Sequence, residues 1–186
     1  MRLRAPRSVR LGALSSVLAA ALLLAVAPAA NAAGDTIAIG DSVMLGAESA
    51  LLKRGIEVVD AMKNRQAPTG ISIIKEFGRK LPESVVFHLG TNGAFPLTMC
   101  RDILEAVGRK RHVFILTLAV PRTWEAQNNR RIRRCAASHV DRVTLIDWHR
   151  ATRVRPEWLA GDGVHLQPLG ANGYARLIAK AVRPGE

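Results

Sequence analysis

The chain has 186 residues, 48% of them hydrophobic, and a formal net charge of +12 at pH 7. This length leaves room for one domain of ordinary size. The positive charge favours an anionic setting such as cell-wall polymers, membrane surfaces or nucleic acid, although an arginine-rich solvated surface explains it equally well.

The N-terminus has the pattern of an export signal. Four arginines lie within the first ten residues, residues 11–27 carry no charge, and Ala30-Asn31-Ala32 forms a small-x-small cleavage site. This order predicts a secretory signal peptide over residues 1–32, cleaved near Ala32. A retained membrane anchor is the alternative, but the apolar run is short for a full span of about 20 residues. Export disfavours nucleic acid as a partner, and the mature chain from residue 33 keeps a formal charge of +8.

Five short β-branched runs, most of them continuously apolar, alternate with longer amphipathic stretches across residues 35–183. The predicted strands are Thr36–Ile39, Glu57–Asp60, Ser84–Leu89, His112–Leu118 and Val143–Asp147. The predicted helices are Val43–Arg54, Thr69–Phe77, Leu97–Gly108, Thr123–Ser138 and Gly170–Val182. Continuous apolar strands that alternate with helices predict an α/β fold: a three-layer α/β/α sandwich around a five-stranded parallel sheet. In such folds the active site lies at the carboxyl ends of the strands.

Ser42 comes just after the first predicted strand, separated from it by Gly40 and Asp41, and just before the first predicted helix. Backbone N–H groups at a helix start favour negative charge and can hold an oxyanion, so this hydroxyl is a candidate nucleophile. The simpler interpretation is that Ser42 or Asp41 only caps the helix.

Asn92 follows the most apolar strand in the segment Gly90-Thr91-Asn92-Gly93. An Asn side chain on a strand-end loop can donate a hydrogen bond to a developing oxyanion. An ordinary Asn-Gly turn is the alternative.

The two cysteines, Cys100 and Cys135, form an even pair in an oxidising compartment, which suggests one disulfide. Two free buried thiols are the alternative, since sequence alone does not bring them within bonding distance. No histidine stands near them at ligand spacing, so they make a poor zinc site, and no metal is predicted.

Asp162 and His165 lie three residues apart, so one turn can place both groups together. A serine needs a base to remove its proton, and that base needs an acceptor that orients it. Gly161 and Gly163 give the turn its backbone freedom. A surface turn with an ordinary Asx hydrogen bond is the alternative. Chance does not readily account for three such loops at one end of the sheet.

Three tryptophans near strand ends or in loops could line a sugar site or pack in the core: Trp124, Trp148 and Trp158.

Together these segments resemble the SGNH, or GDSL-like, hydrolase superfamily. Gly40-Asp41-Ser42, Gly90-Thr91-Asn92 and Asp162-Gly163-Val164-His165 are similar to the first, third and fifth blocks of that family, in its order. The closer resemblance is to the extracytoplasmic SGNH domains of membrane acyltransferases that O-acetylate peptidoglycan and other surface glycans. It covers nearly all of the predicted mature domain, residues 33–186, including Asp147-Trp148.

The resemblance implies a flavodoxin-like sheet and a role for each matching residue. Ser42 would be the nucleophile, His165 the base and Asp162 its orienter, with no cofactor. The Ser42 backbone N–H and the Asn92 side chain would form the oxyanion hole. Asn64 stands at or near a glycine of the family's second block, where a backbone N–H donates.

We expect a secreted serine esterase that cleaves small acyl esters, acetyl esters above all, on cell-wall or other carbohydrates. One alternative is an O-acetyltransferase of peptidoglycan or surface glycan, supplied with acyl groups by a separate membrane acyltransferase. A non-catalytic glycan-binding module is the second alternative.

Overall fold

The structure is a computed structural model that describes residues 36–183 and Met1. The predicted signal peptide, residues 1–32, lies outside the described residues. Within the described part of the chain, no helix is both long and apolar enough to cross a membrane.

A five-stranded sheet forms the middle layer, and all of its strand pairs are parallel. The strands are β1 (Thr36–Gly40), β2 (Val58–Ala61), β3 (Ser84–His88), β4 (His112–Leu116) and β5 (Val143–Ile146). Their order across the sheet is β2-β1-β3-β4-β5. The predicted α/β fold with five parallel strands is therefore confirmed.

Helices cover both faces of the sheet. They are α1 (Ser42–Leu45), α2 (Glu48–Leu52), α3 (Ala67–Phe77), α4 (Met99–Val107), α5 (Glu125–Ser138), α6 (Trp148–Val154) and α7 (Pro168–Val182). Helices α3, α4 and α5 pack on one face, and α1, α2, α6 and α7 pack on the other. Neighbouring residues of a strand point to opposite faces, so Ile37 and Ile39 enter the first core and Ala38 enters the second.

Two helical segments differ from the sequence-based expectation. The predicted first helix is two short helices, because the chain turns at Gly46 and Ala47 between α1 and α2. Helix α6 is not among the helices that the sequence predicts. It has only seven residues, and its fully buried Trp148 packs on Trp158 and Tyr174. Tertiary packing therefore stabilises a helix that periodicity alone does not mark.

A disulfide joins Cys100 in α4 to Cys135 in α5. It confirms the predicted pair and excludes the alternative of two free thiols. His139 lies beside the bond, with its Nδ1 3.7 Å from Cys100 Sγ. The expectation that no histidine stands near the two cysteines was therefore wrong, because His139 follows Cys135 by one helical turn, although both sulfurs are engaged in the disulfide. The disulfide therefore ties together two of the three helices on one face of the sheet.

The strand order places a functional site at the carboxyl ends of β1 and β3. From β1 the chain crosses to β2 on one side, and then returns to β3 on the other side. Loops leave these two strands in opposite directions, so a crevice opens where they part. Ser42 follows β1, and Asn92 follows β3.

His88, the last residue of β3, is buried, and its Nδ1 lies 2.8 Å from the Tyr174 hydroxyl. Burial lowers the pKa of His88 from 6.5 to about 3. Between these two values the unfolded chain binds a proton at this position and the folded chain does not. The contribution of neutral His88 to the free energy of unfolding is therefore complete above pH 6.5 and lost as the pH falls towards 3.

We predict that His88→Gln makes the free energy of unfolding less sensitive to acid. Wild-type protein should lose about 2 kcal/mol more than the variant between about pH 7 and pH 5, since one differential proton changes stability by about 1.4 kcal/mol per pH unit. Urea unfolding at both pH values measures the difference. Equal losses in the two proteins would show that His88 takes up its proton in the folded state.

Candidate active site

Ser42 is the first residue of α1 and lies where β1 ends. Asp41, not Ser42, caps this helix: its buried Oδ1 accepts a hydrogen bond of 3.0 Å from the Val43 N–H. Burial raises the pKa of Asp41, although hydrogen bonds to its carboxylate partly offset this effect. The helix cap is therefore supplied by Asp41, and capping is not the role of Ser42.

Asp162 and His165 share one tight turn before α7. Gly163 has a φ of 70°, a left-handed conformation that glycine adopts without strain. The Ala160 N–H donates to the His165 carbonyl, and Leu159 forms a β-bridge with Leu166. These contacts close the turn at its base, so the two side chains project from a fixed support.

The three predicted catalytic side chains meet in a line. His165 Nδ1 lies 2.6 Å from Asp162 Oδ2, and His165 Nε2 lies 3.2 Å from Ser42 Oγ. If the Asp162 carboxylate accepts the Nδ1–H, then Nε2 is left without a proton and accepts from the Ser42 hydroxyl. A neutral imidazole held in this tautomer is the form that can remove a proton from serine.

Asp162 is held as a carboxylate. Its Oδ1 accepts hydrogen bonds from the backbone N–H groups of Val164, at 2.9 Å, and His165, at 3.0 Å. The hydrogen bond from His165 contributes most, and together these bonds lower the pKa of Asp162 from 3.8 to about 2. The negative charge beside the imidazole therefore persists at every pH above that range.

Asn92 lies across the cleft from the turn, and a buried side chain of α5 fixes its loop. Asn128 donates to the carbonyls of Gly90 and Gly93, and its own Oδ1 accepts from the Phe95 N–H. The Asn92 amide donates to the Arg65 carbonyl at 3.2 Å. The loop is thus anchored on both sides of Asn92.

Asn64 is exposed in the loop after β2 and has a φ of 60°, a conformation more common for Asn than for most residues. The neighbouring Arg65 is buried, donates to the Gly40 carbonyl and pairs with Asp60 at 2.6 Å. This guanidinium therefore joins the loop after β2 to the end of β1, two residues before Ser42.

These loops surround an open cleft of about 310 Å³. Its lining combines the triad with both candidate oxyanion residues and parts of the loop after β4: Ser42, Asn64, Thr91, Asn92, Val120, Arg122, Trp124, Asp162, Val164 and His165. Trp124 donates its indole N–H to the Thr91 carbonyl at 3.3 Å, which holds its ring at the rim. Of the three tryptophans singled out in the sequence, only this one reaches the cleft, since Trp148 and Trp158 stack in the second core.

The comparisons with known proteins point to one family, although no protein-family model matches the chain. The chain is 33% identical over 149 residues to the O-acetyltransferase OatA of Staphylococcus aureus; the match covers 77% of this chain and 24% of OatA. The solved C-terminal catalytic domain of the Streptococcus pneumoniae peptidoglycan O-acetyltransferase OatA superposes with a TM-score of 0.66 and 25% identity, covering 79% of this chain and 91% of that domain.

A GDSL-like lipase of Bacteroides thetaiotaomicron shares the fold, with a TM-score of 0.61 at 16% identity, and covers 81% of this chain and 88% of the lipase. The chain belongs to the SGNH hydrolase superfamily. Within this superfamily it is similar to the SGNH domains of peptidoglycan O-acetyltransferases, and it spans about a quarter of the length of the curated relatives that it matches.

Sequence reasoning missed the residues that position this SGNH site. Asn129 binds both the N–H and the carbonyl of Leu118 and so fixes the loop after β4, as Asn128 fixes the loop after β3. Both are buried polar residues on the same side of α5 as the core residue Ile132. Because buried amides need hydrogen-bond partners, two asparagines on the apolar side of an otherwise arginine-rich helix could have indicated this role from the sequence. Arg65 gave no comparable signal.

Proposed function

We propose that this SGNH domain transfers an acyl group, most simply acetyl, through an ester on Ser42. The observation that carries the proposal is the alignment of the Ser42 hydroxyl, the His165 imidazole and the Asp162 carboxylate at hydrogen-bond distances. The similarity to peptidoglycan O-acetyltransferases supports a cell-wall glycan hydroxyl as the acceptor.

In the first step, Ser42 Oγ attacks the carbonyl carbon of the donor ester while its proton passes to His165 Nε2. Asp162 stabilises the imidazolium that forms. The Ser42 backbone N–H, the Asn92 amide and the backbone N–H of Asn64 are the proposed donors to the oxyanion. The tetrahedral intermediate then collapses, the donor alcohol leaves with the proton from His165, and acyl-Ser42 remains.

In the second step, a glycan hydroxyl gives its proton to His165 Nε2 and attacks the acyl carbon. The new ester leaves, and Ser42 Oγ recovers the proton from His165. No cofactor takes part in this scheme, because each proton and each bonding electron pair is accounted for by the triad, the donor and the acceptor.

Hydrolysis is the second candidate function, and the openness of the cleft favours it. The side chains of His165 and Asp162 are 56% and 49% exposed, so water reaches the catalytic groups. Water in place of the sugar hydroxyl would make the domain an esterase. A non-catalytic glycan-binding module is less well supported, because glycan binding alone does not require a triad with this geometry.

We also propose an extracytoplasmic location, which the Cys100–Cys135 bond supports because disulfides persist in oxidising compartments. A membrane acyltransferase is our proposed source of acyl groups for transfer. Its involvement can be checked by testing whether cell-wall acetylation that depends on this chain is lost when such a protein is deleted.

The test is to find the acyl group on the protein and then follow it. Incubation with p-nitrophenyl acetate, followed by acid quench and peptide mass analysis, should show one acetyl group on the peptide that contains Ser42. Added cell-wall oligosaccharide should shorten the lifetime of this species and yield acetylated sugar if the domain is a transferase. Release of free acetate without any acetylated sugar would indicate an esterase. Absence of the acetylated peptide would refute covalent catalysis.

A pair of substitutions tests the proposed oxyanion donors. We predict that Asn92→Ala lowers kcat by about 10²- to 10³-fold, the usual cost of removing one such donor. Asn64→Gly should leave kcat within about threefold, because glycine keeps the backbone N–H and tolerates the left-handed conformation. Steady-state kinetics with p-nitrophenyl acetate measures both effects. A large loss in Asn64→Gly would assign the donor to the Asn64 side chain instead.

A further inference from the structure

A second concave feature, which we call the basic groove, lies between the end of α2 and the face of α7. It has a volume of about 620 Å³ and is lined by Lys53, Arg54, Gly55, Arg176, Ala179, Lys180 and Arg183. Five of these seven residues are cations. Among residues 36–183, no acidic side chain lines the groove, so the described lining gives it a positive field.

The cations of α7 form one stripe. Arg176 and Lys180 are four residues apart, which places them above one another on the same face of the helix, and Arg183 directly follows its last residue. Like charges at this spacing destabilise a helix. The helix dipole favours a cation in the last turn, such as Lys180, but Arg176 lies before that turn.

The structure gives four of these cations no acidic partner. Among residues 36–183, no ion pair involves Lys53, Arg54, Arg176 or Lys180. Lys53, Arg176 and Lys180 are exposed to solvent. Elsewhere in the described part of the chain, Arg65, Arg101, Arg133 and Arg155 each pair with a carboxylate, whereas Arg130 and Arg134 do not. The groove therefore concentrates positive charge that the fold itself does not neutralise.

The groove lies at the end of the sheet away from Ser42. Lys53 and Arg54 come just before β2, at the amino end of the parallel strands, and the Arg183 guanidinium donates to the Arg54 carbonyl across the groove. Ser42 lies at the carboxyl end of β1. A ligand in the groove would therefore leave the catalytic cleft open.

We propose that the basic groove binds a linear, phosphate-bearing anionic polymer. Guanidinium groups match phosphate oxygens in pairs, and lysines add point charges along the same path. The concave shape fits a chain, and the lining residues within the described part of the chain include no aromatic or large apolar side chain that could insert into a lipid surface. This binding function is independent of the proposed acyl transfer.

The test uses inorganic polyphosphate as the probe, with binding measured at about 50 mM salt, where surface charges are weakly screened. The groove variant is Arg176→Glu with Lys180→Glu. The matched control is Arg130→Glu with Arg134→Glu, which makes the same charge change at the same four-residue spacing on α5, again without breaking an ion pair. Arg176→Gln with Lys180→Gln, and the corresponding Gln control, replace these variants if charge reversal impairs folding.

We expect the groove variant to bind polyphosphate at least about tenfold more weakly than wild type and the control to bind within about threefold of wild type. Wild-type affinity should fall steeply with added salt. Equal losses in the groove and control variants would overturn the proposal, because net charge alone would then explain binding. Tighter binding to phosphatidylglycerol vesicles than to polyphosphate would overturn it in favour of a membrane surface.

Discussion

Ser42→Ala is expected to lower the rate of p-nitrophenyl acetate cleavage by at least about 10⁴-fold, because alanine has no oxygen to carry the acyl group. The His165 base and the oxyanion donors would remain in place, yet they could assist only direct attack by water. Residual catalysis of this kind is typical of serine enzymes that have lost the nucleophile. The acetylated peptide should also disappear, and mass analysis measures this loss independently of the rate.

Ser49→Ala provides the control for this substitution. Ser49 is exposed on the adjacent helix α2, and the same loss of a hydroxyl there should leave the rate unchanged within about twofold. If Ser42→Ala retained more than about a tenth of wild-type activity, the nucleophile would have to be another group, and the mechanism proposed for this cleft would fail.

Gly170→Ala is expected to reduce the free energy of unfolding by about 3 kcal/mol, at the upper end of the cost of overpacking. Gly170 lies in the first turn of α7, against the backbone of Trp158. A Cβ at position 170 would come within 1.9 Å of the Trp158 carbonyl oxygen and 2.7 Å of its carbonyl carbon. A flexible side chain could move away, but the backbone at Trp158 is held by the bond from the Gln167 N–H to the same oxygen.

The same substitution should also reduce catalysis. The Trp158 segment leads directly into the turn that carries Asp162 and His165, so moving it shifts the imidazole relative to Ser42. A displacement of about 1 Å can lower a rate about 10²-fold. Urea unfolding and ester cleavage together measure the two effects.

Gly161→Ala adds the same methyl group within the turn, at a place where no atom lies within 4 Å. It should leave both the free energy of unfolding and the rate close to wild type. If Gly161→Ala and Gly170→Ala were equally harmful, crowding at Trp158 would not be the cause.

The sequence predicted the central sheet well, because most of its strands are short apolar runs, and parallel strands buried on both faces show this pattern strongly. It also singled out three side chains that the structure brings to hydrogen-bond distance of one another. Each of the three is marked by a local feature of the chain: Ser42 by a strand end, and Asp162 and His165 by a glycine-containing turn. The structure adds the long-range fact that a serine 123 positions before the histidine lies 3.2 Å from its ring.

What the sequence did not predict depends on tertiary contacts. To predict that Asn128 anchors the Asn92 loop, one must know which side of α5 faces that loop. To predict the role of Arg65, one must know that β1 and β2 are neighbours. Helix α6 forms because Trp148 packs against Trp158 and Tyr174, which lie outside the helix itself. Local periodicity carries no information about such partners.

The openness of the catalytic cleft has a kinetic consequence for the proposed enzyme. With about half of the His165 side chain exposed, water and a sugar hydroxyl would compete for the same acyl-Ser42. The branching between hydrolysis and transfer would then depend on how often an acceptor occupies the cleft. In dilute solution most acyl groups would be lost to water, whereas a densely packed glycan would intercept them. The same active site could therefore act as an esterase in dilute solution and as a transferase within the cell wall.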